Sequence, residues 1–146
     1  MNEDIFQLGI KALIRNEEGK ILLLQVNPEK LSLNTNGAYW DIPGGRIHTN
    51  STVEETLKRE VEEETGIKTI GSINKLDMVL SNIRIPFNDT SVGLILGIYI
   101  CEVDGATDVT LSDEHIDFKW FVPKEAADLL KVKYPSDFCS KIAELT

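Results

Sequence analysis

The sequence predicts an α+β fold, and three observations carry that prediction. Apolar extended segments dominate the chain, one long helix with an apolar ridge stands at its middle, and two short amphipathic helices close it. At 146 residues the chain has the size of one domain and enough length to bury a proper core. No repeat, low-complexity tract or linker divides it, so a single domain over residues 1–146 is expected.

The first strands run from Phe6 to Arg15 and from Ile21 to Val26, around the hairpin turn Asn16-Glu17-Glu18-Gly19-Lys20. Residues 27–38 carry Pro28, Asn34, Asn36 and Gly37 and read as a loop. Tyr39 to Ile42 is a short strand that Pro43 stops. Ser51-Thr52-Val53-Glu54 has the form of a capping box, so Ser51 is expected to cap a helix that ends at Gly66. Lys68 to Ile85 is extended with a break near Gly71-Ser72, and Pro86 to Ser91 is a polar loop. The continuous apolar run Val92 to Val103 predicts a strand buried on both faces, turned by Asp104-Gly105. His115 to Val122 predicts another strand, with Ile116, Phe118 and Trp120 inward. Helices follow from Pro123 to Leu130 and from Ser136 to Leu145.

Composition removes some functions. A net charge of −9 with no basic stripe argues against a nucleic-acid partner. An anionic substrate would have to be drawn in by metal rather than by the overall field. Val92 to Val103 is too short to span a bilayer, and Met1-Asn2-Glu3-Asp4 has no apolar signal core, so no membrane association is expected. Cys101 and Cys139 lack metal spacing and read as buried free thiols of a reducing compartment, which points to the cytoplasm.

The strongest chemical signal lies in Arg59-Glu60-Val61-Glu62-Glu63-Glu64-Thr65-Gly66-Ile67. Glu60 and Glu64 are four apart and Glu60 and Glu63 three apart, so like charges become neighbours and repel. A bound cation compensates most simply, and Mg²⁺ prefers such carboxylate oxygens together with substrate phosphates. Glu60, Glu63 and Glu64 fall within an arc of roughly 100°. Val53, Leu57 and Val61 form an i, i+4, i+8 ridge along one side of that arc, which must pack on apolar surface. Lys58, Glu62 and Glu55 point away into water, and Arg59 flanks Glu63. The plainer reading is a solvated acidic helix face.

From Gly45 to Ile67 the chain resembles the signature of the Nudix hydrolases: Gly, five residues, Glu, seven residues, then Arg-Glu-aliphatic-x-Glu-Glu-x-Gly-aliphatic. Gly45, Arg59, Glu60, Val61, Glu63, Glu64, Gly66 and Ile67 stand in register, and Tyr39-Trp40-Asp41-Ile42-Pro43-Gly44 resembles the usual approach. Ser51 replaces the first Glu of the pattern. The resemblance implies a mixed-sheet α/β/α sandwich. It implies a Mg²⁺-dependent hydrolase, with Mn²⁺ as substitute, cleaving the pyrophosphate of a nucleoside diphosphate linked to another moiety. Glu60 and Glu64 would be principal metal ligands, Glu63 a ligand or the catalytic base, and Arg59 the residue that orients a carboxylate. Gly44 and Gly45 would let the backbone turn against the substrate. An acidic loop residue often acts as ligand or base in such enzymes, and Glu114 is the candidate here, equally readable as a carboxylate that starts a strand. His115 reads as a partly buried structural imidazole and His48 as solvent-exposed. Tyr39, Trp40 and Phe87 are available for stacking, with Trp40 read as core. The partner is then a small nucleotide derivative, with assembly as a homodimer left open. The alternative, resting on Ser51, is a catalytically silent Nudix-fold module that binds a nucleotide or a protein.

Overall fold

A computed structural model describes residues 2–30, 39–104 and 108–145. Strands β1 (Phe6–Arg15) and β2 (Ile21–Val26) occupy the two apolar runs read from the sequence. Asn16 organises the turn between them, its Oδ1 accepting from the Glu18 and Lys20 amides at 3.0 Å each. Next come β3 (Trp40–Asp41), β4 (Gly44–Arg46), α1 (Val53–Thr65), β5 (Ser72–Leu80), β6 (Ile85–Phe87) and β7 (Thr90–Glu102). The chain closes with β8 (His115–Phe121), α2 (Pro123–Leu129) and α3 (Ser136–Ala143), with a 3-10 turn, Leu130–Val132, between the helices. Of the loop expected over residues 27–38, Pro28–Lys30 forms a 3-10 turn and residues 31–38 lie outside the described residues, as does Gly105.

The sheet is mixed, in the order β3-β2-β1-β7-β5. β1 and β7 run parallel from Phe6↔Gly93 to Arg15↔Glu102, and β5 lies antiparallel on β7. One pairing decides where the site will be. β1 and β2 meet at Arg15↔Ile21 and then part. The segment from Trp40 to Arg46 fills the gap between them, pairing first with β2 (Leu24↔Asp41) and then with β1 (Lys11↔Gly44).

Two apolar layers sandwich this sheet. On one face Leu57 and Val61 of α1 join Ile10, Ala12, Ile14, Leu22, Leu24 and Cys101. On the other, Ala126, Ala127, Phe138 and Ile142 of α2 and α3 pack on Leu13, Leu23, Leu96, Ile98 and Phe121. The architecture is the α/β/α sandwich anticipated above, and Cys101 and Cys139 are buried free thiols.

Four local expectations need correction. Thr52, not Ser51, caps α1: its Oγ1 accepts from Glu55 N at 3.1 Å and donates to Glu55 Oε1 at 2.9 Å. The capping pattern therefore begins one residue later, at Thr52-x-x-Glu55. Thr52→Ala should lower stability by about 1 kcal/mol. Ser51→Ala should change it by less than about 0.5 kcal/mol, and urea unfolding of both variants would separate the two caps. Pro86 to Ser91 is not a loop throughout, because Ile85–Phe87 forms a hairpin with Thr90–Val92 while Asn88 turns at φ 54°. Residues 44–46 form a strand that the sequence did not suggest. In β8, Ile116 is 53% exposed and Phe118 37%, while Phe121 on the opposite face is buried. Among the described residues β8 pairs with β2 alone; Trp120 packs against the cluster that α1 covers, as expected, while Ile116 and Phe118 run past it.

Candidate active site

The last turns of α1 lie against the Gly44–Gly45 backbone. Leu57 and Val61 anchor the helix, which leaves Glu60 and Glu64, one turn apart on the same side, facing β4. Glu64 is buried, and its Oε2 accepts from the Gly44 amide at 3.0 Å. Gly44 adopts φ 155°, and a Cβ there would collide with the Ile10 carbonyl oxygen. A Cβ on Gly45 would lie 2.5 Å from Glu60 Cδ. Gly45 thus leaves room for the Glu60 carboxyl, and Gly44 for the β1 backbone at Ile10 and Lys11. Arg59 Nη2 donates to Glu60 Oε1 at 3.1 Å, so it orients Glu60 rather than Glu63.

Beside this carboxyl pair lies a buried charge network. Lys11, in the middle of apolar β1, donates from Nζ to Asp41 Oδ2 at 3.2 Å, and Lys133 Nζ reaches the same oxygen at 2.7 Å. Tyr134 OH donates to Asp41 Oδ1 at 2.6 Å, and the Ile42 amide to the same oxygen at 2.8 Å. Burial alone would raise the Asp41 pKa, but Lys11, Lys133 and these hydrogen bonds hold it well below the usual carboxylate range. Glu64 goes the other way. Burial pushes its pKa up to about 8 against the pull of Lys11 and the Gly44 amide, with Glu60 adding like-charge repulsion.

The opposite wall comes from the start of β8. His115 Nε2 stands 4.0 Å from Glu64 Oε1, with its side chain only 7% exposed. Burial lowers the imidazole pKa to about 4, helped by the nearby Lys11 charge, so the ring is neutral near pH 7. Glu64, Glu114 and His115 offer ligand atoms that all lie within 4.8 Å of one another. Together these groups line a cleft of about 460 Å³, whose cations are Lys11, Lys30, Arg46 and Lys133. An adjoining groove of about 200 Å³ shares Lys11, Gly44, Arg46 and Lys133 and is walled by Ile83, Ile85, Leu94 and Leu96. The cleft sets these four cations among four carboxyl groups, Asp41, Glu64, Asp113 and Glu114.

Of the residues singled out from sequence, Glu60, Glu64, Gly44, Gly45 and Arg59 meet at one place, and Glu114 joins Glu64 across the cleft. Glu63 and His48 are exposed. Trp40 packs edge-on against Phe121 at 5.3 Å, as a core residue does. Tyr39 borders the cleft but is buried, and Phe87 borders neither opening. Lys11, Asp41, Lys133 and Tyr134 were missed. A lysine inside the run Gly9-Ile10-Lys11-Ala12-Leu13 was a readable signal, since such a residue is buried only when paired. Nothing in Lys133-Tyr134-Pro135 announced its destination.

A family model described as the NUDIX domain matches residues 5–139. A MutT-like protein of Streptomyces ambofaciens is 24% identical over 130 residues, which is 89% of this chain and 73% of that protein. An 8-oxo-dGTP diphosphatase of Haemophilus influenzae is 36% identical over 72 residues, 49% of each chain. Among solved structures, a MutT protein from Methanosarcina mazei Go1 superposes with a TM-score of 0.66 at 29% identity, covering 97% of this chain and 96% of that one. Among the described residues, no helix is long and apolar enough to cross a membrane.

Proposed function

The chain belongs to the Nudix family of pyrophosphohydrolases, and from that premise we propose a Mg²⁺-dependent hydrolase, with Mn²⁺ as substitute, that cleaves the pyrophosphate of a nucleoside diphosphate linked to another moiety. One observation carries the reading: Glu64 is a buried carboxyl held by a backbone amide, set between Glu60, Glu114 and a cluster of lysines. The donor set fits a hard divalent ion, because Glu60, Glu64 and Glu114 supply carboxylate oxygens. Such an ion, when bound, neutralises phosphate charge and lowers the pKa of water.

The chain's own residues do the rest. Glu60 and Glu64 hold the ion, with Arg59 fixing the Glu60 carboxylate. Lys11, Lys133 and Arg46 receive the phosphate oxygens at the shared boundary of cleft and groove, which positions the anhydride against the ion site. Glu114 and Glu63 are the proposed acceptors of the water proton, Glu114 from within the cleft and Glu63 from the exposed side of α1. The relative that is an 8-oxo-dGTP diphosphatase makes nucleoside triphosphates members of the substrate panel. The buried thiols accord with a cytoplasmic setting.

Product release from a panel of nucleoside triphosphates, dinucleotides and nucleotide sugars tests this. Turnover with Mg²⁺ or Mn²⁺ that disappears in EDTA is expected. Full activity in the chelator removes the metal mechanism. No turnover on any member with either ion leaves the silent module that the departure at Ser51 suggested.

A further inference from the structure

We propose that His115 is a nitrogen ligand of the ion held by Glu60, Glu64 and Glu114, adding an imidazole to its carboxylates so that first-row transition ions bind there as well as Mg²⁺. The proposal rests on the metal reading above and concerns a residue outside the signature.

His115 opens β8 opposite Val26, at the end of β2 that faces Glu64. Its side chain is 7% exposed, yet it has not been given the partners that burial demands. Nδ1 is buried without a hydrogen-bond partner among the described residues. The 4.0 Å between Nε2 and Glu64 Oε1 is too long for a hydrogen bond. A structural histidine in a core would have satisfied at least one nitrogen. At that distance an ion between the two side chains would be within reach of both Nε2 and Oε1. Glu114, the adjacent residue in the chain, places a second carboxylate in the same cluster, with all three ligand atoms within 4.8 Å.

The donor set decides the class of ion. Carboxylates alone suit Mg²⁺, whereas an imidazole nitrogen adds a softer lone pair that iron, cobalt and zinc use better than magnesium does. Among the described residues nothing else in the cleft distinguishes these ions by chemistry, since its remaining acidic donors are carboxylate oxygens and its remaining charges are cations.

Mn²⁺ is a usable probe because its electron spin reports nitrogen ligands directly. The chain has two histidines, and His48 is exposed. Pulsed electron paramagnetic resonance of the Mn²⁺-loaded protein should show nitrogen modulation that changes when histidine is supplied as ¹⁵N. It should persist in His48→Gln and vanish in His115→Gln. Calorimetry should show His115→Gln weakening Co²⁺ by about tenfold while Mg²⁺ changes less than about threefold, because only the softer ion loses a preferred donor. The ¹⁵N comparison uses the unmutated chain, so it stands even if His115→Gln fails to fold. Bound Mn²⁺ without histidine coupling overturns the role of His115 and leaves the metal reading intact. No Mn²⁺ bound at millimolar concentration overturns both.

Discussion

Glu64→Gln lowers turnover by at least about 10²-fold while the domain stays folded, because a neutral amide removes the charge that a catalytic ion requires. The same variant separates catalysis from stability through pH. In the ion-free protein the Glu64 carboxyl has its pKa raised from 4.5 to about 8, first by burial and against the pull of Lys11. A group whose folded pKa lies above its unfolded value binds more protons in the native state. Its contribution is therefore fully present below about pH 4.5 and is lost as pH rises through about 8. Gln is neutral throughout, so in EDTA the variant should match the parent near pH 4 and exceed it near pH 9. The excess is a few kcal/mol, since a tenfold difference in proton affinity between folded and unfolded chains is worth about 1.4 kcal/mol. Urea unfolding at the two pH values, beside steady-state turnover at pH 8, measures both effects. Turnover near that of the parent would remove Glu64 from the mechanism.

The largest stability loss is expected at Asp41. Asp41→Asn leaves the Lys11 and Lys133 ammonium groups, with side chains 7% and 13% exposed, without the carboxylate that both touch. Removing one partner of a buried ion pair costs about 3–5 kcal/mol, because the surviving charge stays desolvated. The double variant Asp41→Asn, Lys133→Met should recover part of that loss, since it removes one of the two stranded cations. Urea unfolding at pH 7 gives the comparison. A loss below about 1 kcal/mol in the single variant would mean that water solvates both lysines and that the network does not hold the sheet to the C-terminal segment.

The sequence displayed those parts of the molecule whose signal is local. The strands β1 and β2 and the turn between them could be read because ten apolar-rich residues, a turn and six more mark their bounds, although nothing local showed that the two strands part after Arg15↔Ile21. The ridge of Leu57 and Val61 could be read because helical spacing fixes which face is buried. Glu60 and Glu64 announced themselves through the repulsion they accept. The cap lies one residue later because Ser51 and Thr52 are both good caps, and only the backbone turn at Thr49 and Asn50 decides between them. On β8 alternation placed Trp120 correctly against the α1 cluster but could not show how far along the strand that cover extends, so Ile116 and Phe118 stand exposed. Lys133 reaches Asp41 across 92 residues of sequence, a pairing that no window along the chain contains.

The parallel pairing of β1 with β7 has a consequence for how the protein is made. Arg15 and Glu102 are 87 residues apart and become partners at the end of the central strand pair. Closing so long a loop precedes the contacts that reward it, so the domain should fold slowly for its size. During synthesis β1 emerges early and must wait, its apolar edge uncovered, until β7 leaves the ribosome. Lys11 on β1, Glu64 on α1 and His115 on β8 cannot face one another before then. Catalytic competence therefore arrives only when folding is nearly complete, and a stalled or truncated nascent chain presents a sticky strand rather than a weak enzyme.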